Sequence, residues 1–212
     1  SLTEVHTMNV PSGMTLSDPY VTINEVKYYK KGGTYTFTAS EYNIIEGFTA
    51  TGAQSSSVSA DKRAATVTIG SANVTTTASL TEVHTVTAQD GISLSDAHIN
   101  ILGTDYYKYG QKVVFGISGS GSVVYYVDGK RIEGNSVTVG HENLTMQMGV
   151  PYIDENGEEQ VRKPDEYTVL TKNTSVSNLD DGWYVVLGDV RYTNSVKFSK
   201  DAYLILADGV IS

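Results

Sequence analysis

The side chains of this chain that could do acid–base or metal chemistry are few and widely spaced. Its histidines are His6, His84, His98 and His141, and no two of them lie two or four positions apart. Those are the spacings at which two side chains on one strand or helix bind the same zinc ion. The 212 residues include no cysteine, which excludes thiolate catalysis, disulfides and Cys-bound metals. We therefore predict no metal and no cofactor.

Acidic residues offer two further possibilities. Asp154, Asn156 and Glu158 alternate around a glycine as calcium ligands do, but the rest of a twelve-residue calcium loop is missing, so a hairpin tip is favoured. Glycoside hydrolysis needs two carboxylates facing each other across roughly 5–9 Å. The acids that follow apolar runs near the C-terminus are more simply turn residues; they are Asp180, Asp181, Asp189 and Asp201. We predict no catalytic residue in this chain.

The tyrosines are the best candidates for ligand binding. There are 15 of them, and several form doublets such as Tyr125-Tyr126. On a strand, one ring of a doublet faces the core and the other faces water. Exposed rings can stack on sugars, whereas core filling explains the remainder. The residues predicted to bind ligand are Tyr125, Tyr126 and Tyr152, in the second copy and near the junction with the C-terminal segment.

An internal repeat is the strongest pattern in the chain. Residues 1–7 (SLTEVHT) recur letter for letter as residues 79–85, and the likeness continues at an offset of 78 to Phe37 and Phe115. After a break it returns at an offset of 70, with residues 67–70 matching residues 137–140. The second copy therefore lacks eight residues, which we place in a surface loop or an edge strand.

Hydrophobic residues within each copy recur with a period of two, as in Val21 and Ile23 or Val67 and Ile69. This alternation indicates strands with one face on a core. The dipeptides Asp128-Gly129 and Asn156-Gly157 are typical of two-residue hairpin turns. The predicted fold is all-β: immunoglobulin-like β-sandwiches at residues 1–78 and 79–149, an acidic hairpin or linker at 150–166, and a strand segment at 167–212.

The last segment has short apolar runs separated by Gly and Asp turns without hairpin reversals, which suits the start of a β-solenoid. The chain stops at Ser212, directly after an apolar run, and a solenoid needs a capped last coil. We therefore expect a truncated solenoid, and self-association through a strand edge at Tyr203, Leu204 and Leu206.

Charge and hydropathy restrict the partners. The net charge is −9 with a pI near 4.8, so nucleic acid and anionic lipid surfaces would be repelled. No run reaches the roughly 20 apolar residues that cross a bilayer. We therefore predict no nucleic-acid partner and no membrane insertion.

Two stretches carry a resemblance to a known class of proteins. Residues 182–190 (GWYVVLGDV) with 204–209 (LILADG) resemble the entry to right-handed β-helix regions in secreted or cell-wall proteins of gut bacteria. Residues 31–38 (KGGTYTFT) resemble the tandem immunoglobulin-like repeats that such proteins carry. The resemblance implies an extracellular, cell-surface or cell-wall location after removal of a signal peptide, and it names no catalytic residue.

These observations favour a non-enzymatic stalk module that presents a distal domain of a bacterial surface protein. The positions that match between the copies are strand and turn residues, as expected for a framework rather than a shared binding site. Two alternatives remain: an adhesin module that binds host or cell-wall glycans, or an accessory region of a polysaccharide-degrading β-helix enzyme.

Overall fold

A computed structural model describes residues 2–117, 122–170, 178–188, 190–191, 195–199 and 201–206. All regular structure in these ranges is β-strand, so the predicted all-β class is confirmed. None of the described residues belongs to a helix of the length and apolarity needed to span a membrane.

Strands β1 to β9 lie in the first copy of the sequence repeat and at its border with the second. Their alternating Thr, Val and Ile residues place one face of each strand toward the interior. The strands are β1 (Val5–His6), β2 (Met14–Leu16), β3 (Val21–Ile23), β4 (Val26–Lys30), β5 (Thr34–Ala39), β6 (Asn43–Thr51), β7 (Ala53–Val58), β8 (Ala64–Ile69) and β9 (Thr75–His84).

The second copy and the C-terminal segment form the remaining described strands. The second copy contains β10 (Val86–Ala88), β11 (Ile92–Leu94), β12 (Ile99–Ile101), β13 (Thr104–Lys108), β14 (Lys112–Ile117), β15 (Val124–Val127), β16 (Lys130–Ile132), β17 (Ser136–Thr138) and β18 (Leu144–Ile153). The C-terminal segment contains β19 (Glu159–Arg162), β20 (Thr168–Leu170), β21 (Asn178–Leu179), β22 (Gly182–Val186), β23 (Lys197–Phe198) and β24 (Ala202–Leu206).

Two sheets of the first copy share one hydrophobic core. One sheet has the order β2-β5-β8-β7, and in the other β6 pairs antiparallel with β9. Phe37 and Val67 of the first sheet are fully buried against Ile45 of the second, and the Phe37 and Phe48 rings lie 5.3 Å apart. The alternation of the sequence therefore buries one face of each sheet.

The second copy repeats this strand pairing at the expected offsets. Leu16 pairs with Phe37 between β2 and β5, and Leu94 pairs with Phe115 between β11 and β14. Strands β2 to β6 and β8 to β9 have counterparts nine strands later. The internal repeat read from the sequence is therefore a repeat of structure.

The eight residues missing from the second copy fall where the pairing of the two copies differs. In the first copy β7 is an edge strand paired with β8, whereas the shorter β16 pairs with β15 instead. The β15–β16 turn has positive φ at Asp128 (49°) and Gly129 (74°), as a type I′ hairpin requires. The break in the sequence repeat therefore coincides with the region of the edge strand β7 in the first copy.

The chain forms two compact units whose bounds differ from those of the sequence repeats. The first unit contains residues 1–85 and 97–109, and the second contains residues 86–96 and 110–212. The first unit therefore includes the hairpin β12–β13, which belongs to the second copy by sequence. The chain passes between the units three times.

The C-terminal segment contains parallel strand pairs. Strand β22 pairs parallel with both β20 and β24, and β21 pairs parallel with β23. Val185 and Leu187 pack in one cluster with Met148 and Val150 of β18, so this segment shares a core with the second copy. Asp189 and residues 207–212 lie outside the described residues.

Candidate functional site

The best-defined junction in the molecule lies within the first unit, where β9 continues past the core of the first copy. Its residues 75–82 pair with β6, and Val83 and His84 pair with Lys108 and Tyr107 of β13. The resulting sheet has the order β12-β13-β9-β6. One uninterrupted strand therefore joins the framework of the first copy to a hairpin of the second.

Apolar side chains fill this junction. Ile44 and Val83 are fully buried and Ile101 is 7% exposed, and the three form one cluster with Ile99 and Tyr106. Burial of each aliphatic side chain of this kind contributes about 1.5–3 kcal/mol. The hairpin is therefore held by hydrophobic packing as well as by backbone hydrogen bonds.

Polar contacts surround the cluster. The His98 ring and the Glu46 carboxylate are 2.7 Å apart, and this hydrogen bond lowers the pKa of Glu46. The Arg63 guanidinium lies 5.8 Å from the centre of the Tyr106 ring. The buried His84 ring packs 4.9 Å from that of Tyr42. These polar and aromatic pairs restrict the orientation in which the residues of the apolar cluster can pack.

The three tyrosines predicted to bind ligand have different surroundings in the second unit. Tyr125 packs edge-on against Phe115 at 4.7 Å, and burial raises its pKa. Tyr126 is the next residue on β15 and therefore faces the opposite side of the strand. Tyr152 lies 5.0 Å from Trp183. Of the three, only Tyr152 lines the cleft of the C-terminal segment.

That cleft has a volume of about 910 Å³ and is lined by residues of β18, β19, β22 and β24. Parallel pairing places Trp183 beside Tyr203, and their rings stack at 4.6 Å with planes 12° apart. The Arg162 guanidinium lies 3.8 Å from the centre of the Trp183 ring. The Tyr203 residue is 50% exposed, so the stack presents an aromatic surface to solvent.

Acidic residues at the cleft rim stabilise its hairpin. Backbone N–H groups of Glu158 and Asn156 donate to the Asp154 carboxylate, each at 2.9 Å, and lower its pKa. Strands β18 and β19 form the predicted hairpin, but its loop spans residues 154–158, and only Gly157 has a positive φ. The predicted two-residue turn at Asn156-Gly157 was therefore wrong, because the Asp154 carboxylate organises a longer loop.

The histidines and acids do not assemble into a metal centre in the described part of the chain. No group of three His, Asp or Glu side chains there could hold an ion. His6 and His84 each pair with the glutamate two residues earlier, Glu4 and Glu82. Asp181 accepts a hydrogen bond from Ser199 at 2.5 Å.

Sequence reasoning did not identify the Trp183–Tyr203 stack as part of a cleft. The available signal was the equal position of the two aromatic residues within apolar runs 20 residues apart, but parallel register is not readable from one sequence. No family model, no curated protein and no solved structure matches this chain.

Proposed function

We propose that this chain is a structural spacer of a bacterial cell-surface protein, built from two immunoglobulin-like β-sandwich repeats and the start of a parallel β-solenoid. The observation that supports the proposal most is strand β9, which closes the core of the first repeat and continues into a sheet with β12–β13. A spacer must carry load between modules, and a shared sheet resists separation better than an unstructured linker.

The connectivity supports the same role. The chain passes between the units after residues 85, 96 and 109, so the docked hairpin is tied to the second unit at both of its ends. Tension that pulls the end of β9 away from the first unit would have to break its pairing with β13 at Val83 and His84. The buried cluster of Ile44, Val83 and Ile101 opposes that detachment.

Single-molecule stretching between the termini of the full chain tests the proposal. We expect a resolved detachment step whose force falls in Ile101→Asp and stays unchanged in Ile23→Asp, the matched control at the equivalent repeat position. Ile101 is buried, whereas Ile23 is 52% exposed. The same force in wild type and Ile101→Asp would overturn the proposed spacer role.

A second function, glycan binding, is favoured by the exposed aromatic surface of the cleft. Saccharide rings stack on aromatic side chains, and a cleft buries more ligand surface than a flat sheet. Tyr203 and Tyr152 would provide the rings, with hydrogen-bonding groups of Glu155 and Glu159 nearby in the lining. Neutral polysaccharides or cell-wall glycans fit the acidic rim better than anionic ones.

A glycan array probed with the full chain and with Tyr203→Ala tests this second function. The matched control is Tyr20→Ala in the first unit, because Tyr20 is 52% exposed and Tyr203 is 50% exposed. We expect binding to be lost in Tyr203→Ala and retained in Tyr20→Ala. Binding that survives both Tyr203→Ala and Tyr152→Ala would exclude the cleft.

A further inference from the structure

The N-terminal hairpin β3–β4 is the structural counterpart of the docked hairpin β12–β13. Both pair with a copy of the same heptapeptide: His6 and Val5 pair with Tyr29 and Lys30, as His84 and Val83 pair with Tyr107 and Lys108. The two hairpins therefore occupy the same place relative to residues 1–7 and 79–85.

The two-residue turns of these hairpins also correspond. The first has positive φ at Asn24 (48°) and Glu25 (66°), and the second at Leu102 (51°) and Gly103 (87°). A backbone hydrogen bond from Lys31 N to Glu4 O matches the one from Tyr109 N to Glu82 O. The backbone of the N-terminal hairpin is therefore already in the docked form.

The surroundings of the two hairpins differ on one side. Ile101 is 7% exposed because Ile44 of β6 covers it, whereas the equivalent Ile23 is 52% exposed. Val83 is fully buried, and the equivalent Val5 is half-buried. Strand β1 is the edge strand of its sheet. Its counterpart β9 instead pairs with a further strand, β6.

We propose that this N-terminal surface, formed by β1 and the β3–β4 hairpin, docks another repeat of the same kind placed directly before Ser1. Such a repeat would extend β1 into a full last strand and cover Ile23 with its counterpart of Ile44. Residues 1–6 are identical to residues 79–84, so the joined strand would end with the same six residues as β9.

The side chains around the contact agree with this occupant. Tyr28 is the counterpart of Tyr106, whose ring lies beside the Arg63 guanidinium. In the added repeat, the arginine equivalent to Arg63 could therefore contact the Tyr28 ring in the same way. Tyr20 replaces His98, so the ion pair with Glu46 would be absent. Leu2, which is fully exposed, would take the place of Leu80, which packs on the core of the first copy. The inference goes beyond the spacer role and does not depend on it.

Thiol labelling measures the burial directly, because the chain has no cysteine of its own. In the 212-residue chain, Ile23→Cys is expected to react with a thiol reagent at least about tenfold faster than Ile101→Cys. When residues 1–78 are duplicated ahead of Ser1, the thiol at position 23 should slow by at least tenfold. Labelling that stays fast would overturn the proposal.

Two further variants complete the test. An Ile44→Asp change in the added copy alone should restore fast labelling, because it places a charge in the apolar contact. Slow, concentration-dependent labelling of the 212-residue chain would instead identify a second copy as the occupant and overturn the proposal.

A chimaera gives an independent measurement if the longer chain does not fold. Replacing residues 98–106 by residues 20–28 places the N-terminal hairpin in the existing junction. We expect a cysteine at position 101 of this chimaera to remain protected to within about threefold of Ile101→Cys. A fully reactive thiol there would show that the hairpin cannot dock and would overturn the inference.

Discussion

Residues 2–7 and 80–85 have the same sequence and different structures. In the second occurrence Leu80 packs on a core and Val83 is fully buried within a ten-residue strand. In the first, Leu2 is fully exposed and only Val5–His6 form a strand. Strands β6 and β13 both pair with the strand that contains the second occurrence, whereas only β4 pairs with the strand of the first.

This difference shows that the neighbours, and not the local sequence, determine strand length here. Strand propensity measures how well side chains fit beside neighbouring strands, so identical residues extend where β6 is present and stop where no such partner lies. An open edge is also a place where another strand can add. The stability of the junction therefore comes from the strands that pair with residues 79–85 and not from the heptapeptide itself.

The largest expected effect contrasts Ile101→Ala with Ile23→Ala. Truncating a buried isoleucine leaves a cavity, so Ile101→Ala should lower the free energy of unfolding of the first unit by about 2–5 kcal/mol. The change at half-exposed Ile23 should cost less than about 0.5 kcal/mol. Urea titration followed by hydrogen exchange in peptides covering residues 75–84 measures both.

The outcome separates two explanations of the repeat. If both substitutions cost the same, the hairpins are stabilised within themselves and the contact with Ile44 contributes little. A large cost at Ile101 alone locates the stability in the junction cluster.

The end of the second copy provides a third case for the same comparison. Strand β18 continues past its core as β9 does, but it pairs with β19 of the C-terminal segment. The Tyr167 hydroxyl donates to Met148 O, and burial raises the pKa of Tyr167 to about 12. The protonated Tyr167 phenol therefore contributes a hydrogen bond to the region where β18 continues past its core.

Alkaline pH should weaken this third junction. A tyrosine whose pKa is raised above its ordinary value of about 10 contributes stability that is fully present below pH 10 and lost as the pH rises toward 12. The fluorescence of Trp183, the single tryptophan, reports on this region. We expect Tyr167→Phe to lose about 1 kcal/mol at neutral pH and to show a weaker alkaline transition.

The control is Tyr20→Phe at a half-exposed tyrosine of the first unit, which should leave the alkaline transition unchanged. An alkaline transition of equal size in wild type and Tyr167→Phe would contradict the assignment, because other tyrosines would then account for it.

The sequence allowed the strand-rich class, the repeat and its offsets to be predicted, because alternation in residues such as Val67 and Ile69 survives any arrangement of the sheets. It did not indicate that β12–β13 would join the first unit. That placement depends on pairing between Val83 and Lys108, which alternation alone cannot specify. The sequence likewise did not indicate that β16 would pair with β15, whereas its counterpart β7 pairs with β8.

The candidate site was less predictable. Tyr152 was predicted to bind ligand and lines the cleft, whereas Tyr125, predicted likewise, packs on Phe115. A tyrosine doublet shows that the rings face opposite sides but not which side is covered. The Trp183–Tyr203 stack arises from the parallel register of β22 and β24. That register depends on the number of residues between the two strands and not on the types of the two residues.

The smallest expected effect concerns the polar edge of the first-unit junction. Glu46 and His98 form a partly exposed pair, and such pairs contribute about 0.2–1 kcal/mol. A double-mutant cycle with Glu46→Ala and His98→Ala should give a coupling energy in that range. Because the hydrogen bond to His98 lowers the pKa of Glu46, the contribution of this carboxylate is present above its unfolded-state pKa and is lost as the pH falls through the lower folded-state value. A coupling that persists unchanged when Glu46 is protonated would show that His98 acts through packing and not through its hydrogen bond to the carboxylate.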